Sequence, residues 1–174
     1  VYTGGFGAQY GGRISSVMDI KTRDGNKKRL TGKLSMNTFG SKFLLEGPMF
    51  SADSSAFSNS FLFSAKSSYL DKTSKYFYSY VDTVGLPYSF SDFYGKFSFF
   101  SKNGSKFNLY GFGFNDNVNY VDLTNLGWNT YGFGSNIVLV PSSAKMLIEG
   151  KLSYSKYDIS QQDVGEPVNN SNID

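Results

Sequence analysis

Apolar and polar residues alternate with a period of two along most of this chain, and that period predicts strands. Residues 30–38 set Leu34 and Met36 against Lys33, Ser35 and Asn37. Residues 42–47 set Phe43 and Leu45 against Lys42 and Glu46. Residues 59–69 set Phe61, Phe63 and Ala65 against Ser64 and Lys66. Residues 89–101 set Phe93, Phe97 and Phe99 against Asp92, Tyr94, Lys96 and Ser98. Three more strands are predicted. Residues 106–115 put Tyr110, Phe112 and Phe114 opposite Gly111 and Gly113; residues 128–140 put Tyr131, Phe133, Ile137 and Leu139 on one face with Ser135. Residues 145–157 put Met146, Ile148, Leu152 and Tyr154 opposite Glu149, Lys151, Ser153 and Ser155. Turns fall at Phe39-Gly40-Ser41, Gly47-Pro48, Asn103-Gly104 and Pro141, where Gly, Pro or Asn-Gly favours reversal or cannot extend a ladder. No segment carries a helical stripe. Residues 70–88 are expected to be a long aromatic connection and 115–127 a medium loop. Residues 13–23 alternate only partly and predict a buried strand, closed by a turn at Asp24-Gly25-Asn26.

The strand pattern suits a membrane better than water on three counts. The predicted strands mostly run to ten residues or a little more, the length that crosses a bilayer at strong tilt; globular strands centre on five or six. Lys33, Lys42, Glu46, Lys66, Asp92, Lys96, Glu149 and Lys151 all fall opposite the large apolar residues. A lysine on the lipid side at mid-bilayer would cost roughly 2–4 kcal/mol. Connections are expected to alternate, short at one end of the strands and longer at the other, with the tight turn after the first strand as the one exception. Tyr69, Tyr76, Tyr78, Tyr80, Tyr88, Tyr120, Trp128, Tyr154 and Tyr157 would gather at the longer-looped, outer end as an interfacial girdle. Phe93, Phe97, Phe112, Phe133 and Ile148 are expected to point away from the polar face.

Composition narrows the chemistry. The 174 residues hold no Cys and no His, so thiolate, zinc-thiolate and histidine-based acid–base sites are all excluded. No enzyme activity, cofactor or metal is expected. Asp19, Asp24 and Glu46 are read as solvated or ion-paired, and Lys27-Lys28-Arg29 as a solvated linker. A net charge of +3 is too mild to argue for nucleic acid. Thirteen Tyr, 17 Phe and 19 Gly with a polar average hydropathy fit a transmembrane β-barrel, in which one face of each strand meets lipid. No run is apolar enough for a membrane helix.

Residues 9–25, QYGGRISSVMDIKTRDG, resemble the end of the plug domain of TonB-dependent outer-membrane receptors of the Bacteroidota type. Tyr10, Gly11, Gly12, Arg13, Ser15, Ser16, Val17, Met18, Asp19, Ile20, Thr22 and Arg23 carry the likeness. Residues 30–49, ending in Glu46-Gly47-Pro48-Met49, resemble the first barrel hairpin of that family. Residues 65–71, AKSSYLD, are similar to its arginine-rich signature but lack the arginines. The resemblance implies an all-β fold: residues 1–29 as plug end and linker, and 30–174 as about seven strands of a larger antiparallel barrel. It implies a piece of a longer receptor that imports a scarce nutrient (siderophore, cobalamin, glycan or peptide) by energised transport. The partners implied are outer-membrane lipid, the TonB complex through a segment outside these residues, a surface lipoprotein, and a nutrient ligand of unspecified identity. Arg13, Asp19, Arg23, Lys66, Asp92, Lys96, Glu149 and Lys151 are the expected plug–barrel contacts. Lys75, Tyr76, Tyr78, Tyr80 and Tyr88 are the expected surface loop for a ligand. Competing readings are a non-transporting outer-membrane barrel or adhesin, and a soluble carbohydrate-binding β-sandwich.

Overall fold

A computed structural model describes residues 2–3, 7, 15–50, 57–78, 85–120, 123–143, 145–163 and 169–173, with 2–3 and 169–173 described by backbone alone. The fold is all-β. Two short strands, β1 (Tyr2–Thr3) and β2 (Ser16–Val17), pair antiparallel. The remaining strands form one antiparallel sheet in chain order: β3 (Thr31–Met36), β4 (Gly40–Gly47), β5 (Phe57–Ser68), β6 (Tyr88–Ser101), β7 (Lys106–Tyr120), β8 (Thr124–Leu139), β9 (Ile148–Asp163) and β10 (Asn169–Ile173). The eighth of these, β10, lies in a segment that reads in sequence as a polar tail. One helix, α1 (Leu70–Phe77), interrupts the series.

The strand register places side chains by face, because partners across a ladder share a side. All eight charged residues expected on one face do lie together. Glu46 pairs with Leu62, Leu62 with Lys96; Lys42 pairs with Lys66, Lys66 with Asp92. Lys33 sits opposite Leu44, Glu149 opposite Val138 and Lys151 opposite Asn136, on the same side. The other face is apolar and uncovered. Phe93 is 53% exposed and Phe133 57%, and Phe43, Phe63, Phe97, Phe99, Ile148 and Leu152 are also exposed. Leu62 is the one large apolar side chain that is buried among the described residues, and it belongs to the polar face.

The apolar face ends at a sharp edge. Ser41, Ser67, Ser91, Asn115, Asn129 and Asp158 are register partners in turn across six strands. Short of that row the outward residues of β5 include Phe57, Phe61, Phe63 and Ala65, and those of β8 are Leu139, Ile137, Ser135, Phe133 and Tyr131. Each of these bands covers about nine residues of strand, the bilayer-crossing length. β6 to β9 run 14, 15, 16 and 16 residues, so they extend well past the band and are polar there on this face.

Five sequence expectations are corrected. Phe112 belongs to the polar face, as the register partner of Tyr94. Its ring lies over Gly132, where a Cβ would come within 2.6 Å of it, and the Tyr110 hydroxyl lies over Gly134 in the same way. In β7 the glycines, and not the rings, share the apolar face with Phe107 and Leu109. The expected 115–127 loop is ladder nearly throughout, leaving only 121–123 between β7 and β8. The alternation of connection lengths therefore fails beyond the expected exception at 37–39: 121–123 is also tight at the end expected to be long-looped. The girdle also divides. Tyr88, Tyr120, Trp128 and Tyr157 face the polar side, and Tyr154 faces the apolar side.

The last correction is α1, within the expected connection. Its inward side is polar, so no apolar stripe marks it in sequence. Thr73 Oγ1 donates to the Thr38 carbonyl at 2.6 Å, and buried Ser74 Oγ accepts from the Leu86 amide at 2.9 Å. Just before the helix, the Tyr69 hydroxyl contacts the carbonyls of Asn37 and Gly40. The helix is thus tied to the β3–β4 turn by hydrogen bonds to backbone.

Candidate functional site

The polar face carries a strap. Residues 18–26 run extended without a ladder of their own and cross β4 to β7 on that side. Of the buried strand expected over 13–23, the described part keeps only the two-residue β2, and beyond it Met18 is 65% exposed and Ile20 75%. Contact begins at Thr22, whose Oγ1 lies 2.6 Å from the Tyr94 hydroxyl on β6. Arg23 then makes a two-pronged bond to Glu46 on β4, with Nη2 to Oε1 at 3.1 Å and a shorter bond from Nη1 to Oε2. Guanidinium and carboxylate match in shape, which sets the direction of the strap as well as its position. The Arg23 side chain is more than half exposed, so the pair contributes little energy, about 0–1 kcal/mol.

Asp24 is the centre of the contact. Its carboxylate receives Lys106 Nζ at 2.8 Å and Lys96 Nζ at 3.0 Å, and Ser98 Oγ at 3.3 Å. Lys96 is 6% exposed, and it also donates to the carbonyls of Thr22 at 2.9 Å and Arg23 at 3.4 Å. A lysine this buried needs its charge matched. Asp24 supplies the match, and the strap backbone fills the remaining donor positions. Burial by itself raises the Asp24 carboxyl, but the hydrogen bonds and charges of Lys106 and Lys96 outweigh it and hold the group below the usual carboxylate range.

Gly25 fixes how closely the strap approaches. It is buried, and a Cβ there would overlap the Phe61 carbonyl oxygen of β5. Asn26 then bends the chain away, its Oδ1 accepting from the amides of Lys28 at 2.9 Å and Arg29 at 3.3 Å. The turn expected at 24–26 therefore comes later, and Asp24 and Gly25 are contact residues. Beyond it, Lys27 Nζ sits over the Phe100 ring.

The residues singled out in the sequence separate into four groups. Arg23 and Lys96 belong to the strap contact. Lys66 and Asp92 pair with each other at 3.4 Å, farther along the same face. Asp19 reaches only Lys21, at 3.8 Å, while Glu149 and Lys151 are exposed on β9. Arg13 and Tyr80 lie outside the described residues, as do Tyr10, Gly11 and Gly12. The expected aromatic ligand loop does not converge. Lys75 and Tyr76 are exposed on α1, Tyr78 stacks on Phe39 with centroids 6.1 Å apart, and the Tyr88 hydroxyl lies 3.2 Å from that of Tyr120. Sequence reasoning missed Asp24 as a contact residue, and Lys106, Tyr94 and Gly25 with it. Lys106 starts its strand directly after a turn, where a charge reads as solvated. The signal available for Asp24 was the like-charged pair Lys96 and Lys106 on neighbouring strands with no acid between them.

Among the described residues no group of His, Cys, Asp and Glu is arranged to hold a metal, and no helix is long and apolar enough to cross a membrane, which says nothing of a β-barrel. Comparison with protein-family models, with curated proteins and with solved structures gives no match.

Proposed function

We propose that this chain is part of a plugged outer-membrane β-barrel, a TonB-dependent receptor that imports a scarce nutrient by energised transport. The observation that carries the reading is the sidedness of the sheet. One face is an exposed aromatic and aliphatic band, with Lys156 beside Tyr131 at its rim, bounded by a polar row, and the opposite face holds an inserted segment through buried charge. A soluble sandwich must cover its apolar face with a second layer; an exposed apolar area of this extent otherwise marks an interaction surface. Lipid is the occupant that fits a band about nine residues tall on strands that run on past it. In this reading the strap is the end of the plug, and its ties to β4, β6 and β7 seat the plug against the wall. The nutrient passes on the polar side, and the energy comes through the TonB complex acting on a segment outside these residues.

The test uses the absence of native cysteine. Single cysteines at Phe97 and Phe133, and at the exposed polar-face positions Lys151 and Ser155, are labelled with an environment-sensitive dye in chain reconstituted into vesicles. A lipid-bound quencher should reach the first pair and spare the second. Equal quenching of all four sites, or failure to enter vesicles at all, defeats the reading.

A further inference from the structure

Next to the strap on the polar face, towards the far strand ends, is a cavity of about 600 Å3. It lies within the range of small-molecule sites, roughly 300–1,000 Å3. Two adjoining register rows build it. One runs Lys66, Asp92, Phe114, Thr130 and Tyr157; the next runs Phe90, Asp116 and Trp128. Among the described residues the strap touches this face one row short of the cavity, where Thr22 meets Tyr94.

The chemistry of the walls selects a ligand. Trp128, Tyr157 and Phe114 offer aromatic surface, and Trp and Tyr add a polar handle. Asp92 and Asp116 accept hydrogen bonds; Lys66 and Thr130 donate. Lys66 already pairs with Asp92 at 3.4 Å, which leaves Asp116 without a basic partner among the described residues. An anionic ligand would meet two carboxylates. A cationic one would meet Lys66 and gain from Asp116 alone. An uncharged ring bearing several hydroxyls meets no like charge, uses donors and acceptors together, and lays its apolar face on the aromatic rings. From this we infer that the cavity is a binding subsite for a neutral sugar. The inference rests on the barrel reading in one respect, that the polar face is the side along which a nutrient passes.

Trp128 is the single tryptophan of the chain and lines this cavity, so its fluorescence reports the site directly. The 174-residue chain in detergent micelles is titrated with neutral hexasaccharides of glucose, mannose, xylose and galactose, and with oligogalacturonate and oligoglucosamine as charged counterparts. At least one neutral sugar should shift the emission saturably, and the charged counterparts should not. Asp116→Asn, at an exposed position, should weaken that binding at least tenfold, as should Phe114→Ala measured by calorimetry. Lys151→Gln, on the same face outside the cavity, should leave it unchanged. Binding of only a charged oligomer, binding indifferent to Asp116→Asn, or no response to any member of the panel overturns the inference. Vesicle partition separates the two readings: a chain that enters vesicles and binds no sugar defeats the sugar site alone. A chain that stays in water yet binds sugar defeats the barrel alone.

Discussion

The two faces of this sheet are built from the same strands but follow different rules. On the polar face the charges around the strap and beside it are paired, Arg23 with Glu46, Asp24 with Lys96 and Lys106, and Lys66 with Asp92, while Lys33, Lys42, Glu149 and Lys151 are exposed. On the apolar face Phe43, Phe63, Phe93, Phe97 and Phe133 are exposed, and the ring contacts there, such as Phe99 with Phe107, are between neighbours on the same surface. A face that needs specific partners must position charge to within ångströms. A face that meets a fluid solvent needs only the right chemistry and the right height. That difference explains why Lys33, Lys42, Glu46, Lys66, Asp92, Lys96, Glu149 and Lys151 share one face, with Lys156 at the rim of the other, while the aromatics vary from strand to strand.

The largest expected break of this contrast comes from moving charge across it. Phe97→Lys should cost roughly 2–4 kcal/mol of folding in vesicles, if its depth is near mid-bilayer. Ser98→Lys, one residue away on the polar face, will be hurt by crowding at Asp24 but not by lipid, so the two variants should differ most in vesicles and least in micelles. Folding yield on a denaturant titration reads both.

Within the polar face, Asp24→Asn should matter more than Arg23→Ala. Asn leaves Lys96 buried with its charge unmatched, a cost of about 1–3 kcal/mol, held down by the two strap carbonyls that Lys96 keeps. Removing the exposed Arg23 should cost about 0–1 kcal/mol. Cleavage by trypsin at Lys21 and Lys27 reports strap release in both variants, and equal effects would remove Asp24 from the centre of the contact. Gly25→Val should raise the same cleavage, since overpacking against the Phe61 carbonyl costs about 1–3 kcal/mol.

Acid gives the smallest effect near neutrality. The docked Asp24 carboxyl lies below its undocked value, so the docked state favours the ionised form. Its contribution is complete above the ordinary carboxylate value, about 3.9, and is lost as pH falls through the lower docked value. The strap should stay docked from pH 7 to 5 and loosen only below about 4. Release between pH 5 and 7, read at each pH by a dye on a single cysteine in place of Lys21, would assign the contact to another group.

Much of this was legible because a period of two leaves no choice of face once one residue is assigned. Lys33, Lys42, Glu46 and Lys96 follow from their neighbours. Phe112 was misread because an aromatic over a glycine on the next strand is a pairing across the sheet, invisible within one strand. Helix α1 was misread because Thr73 and Ser74 bind backbone where a stripe would bury apolar surface. The role of Asp24 depends on Lys96 and Lys106, more than 70 residues away, and Asp-Gly-Asn taken locally is a turn.

The central claim is that the apolar face meets lipid, and quencher access to paired cysteines tests it most directly. The account predicts that a lipid-bound quencher dims labels at Phe97 and Phe133 and leaves those at Lys151 and Ser155 bright. Labels at Phe97 and Phe133 that stay bright with the lipid quencher and are shielded from water as well would mean a second protein layer covers that face, and the membrane reading would be wrong.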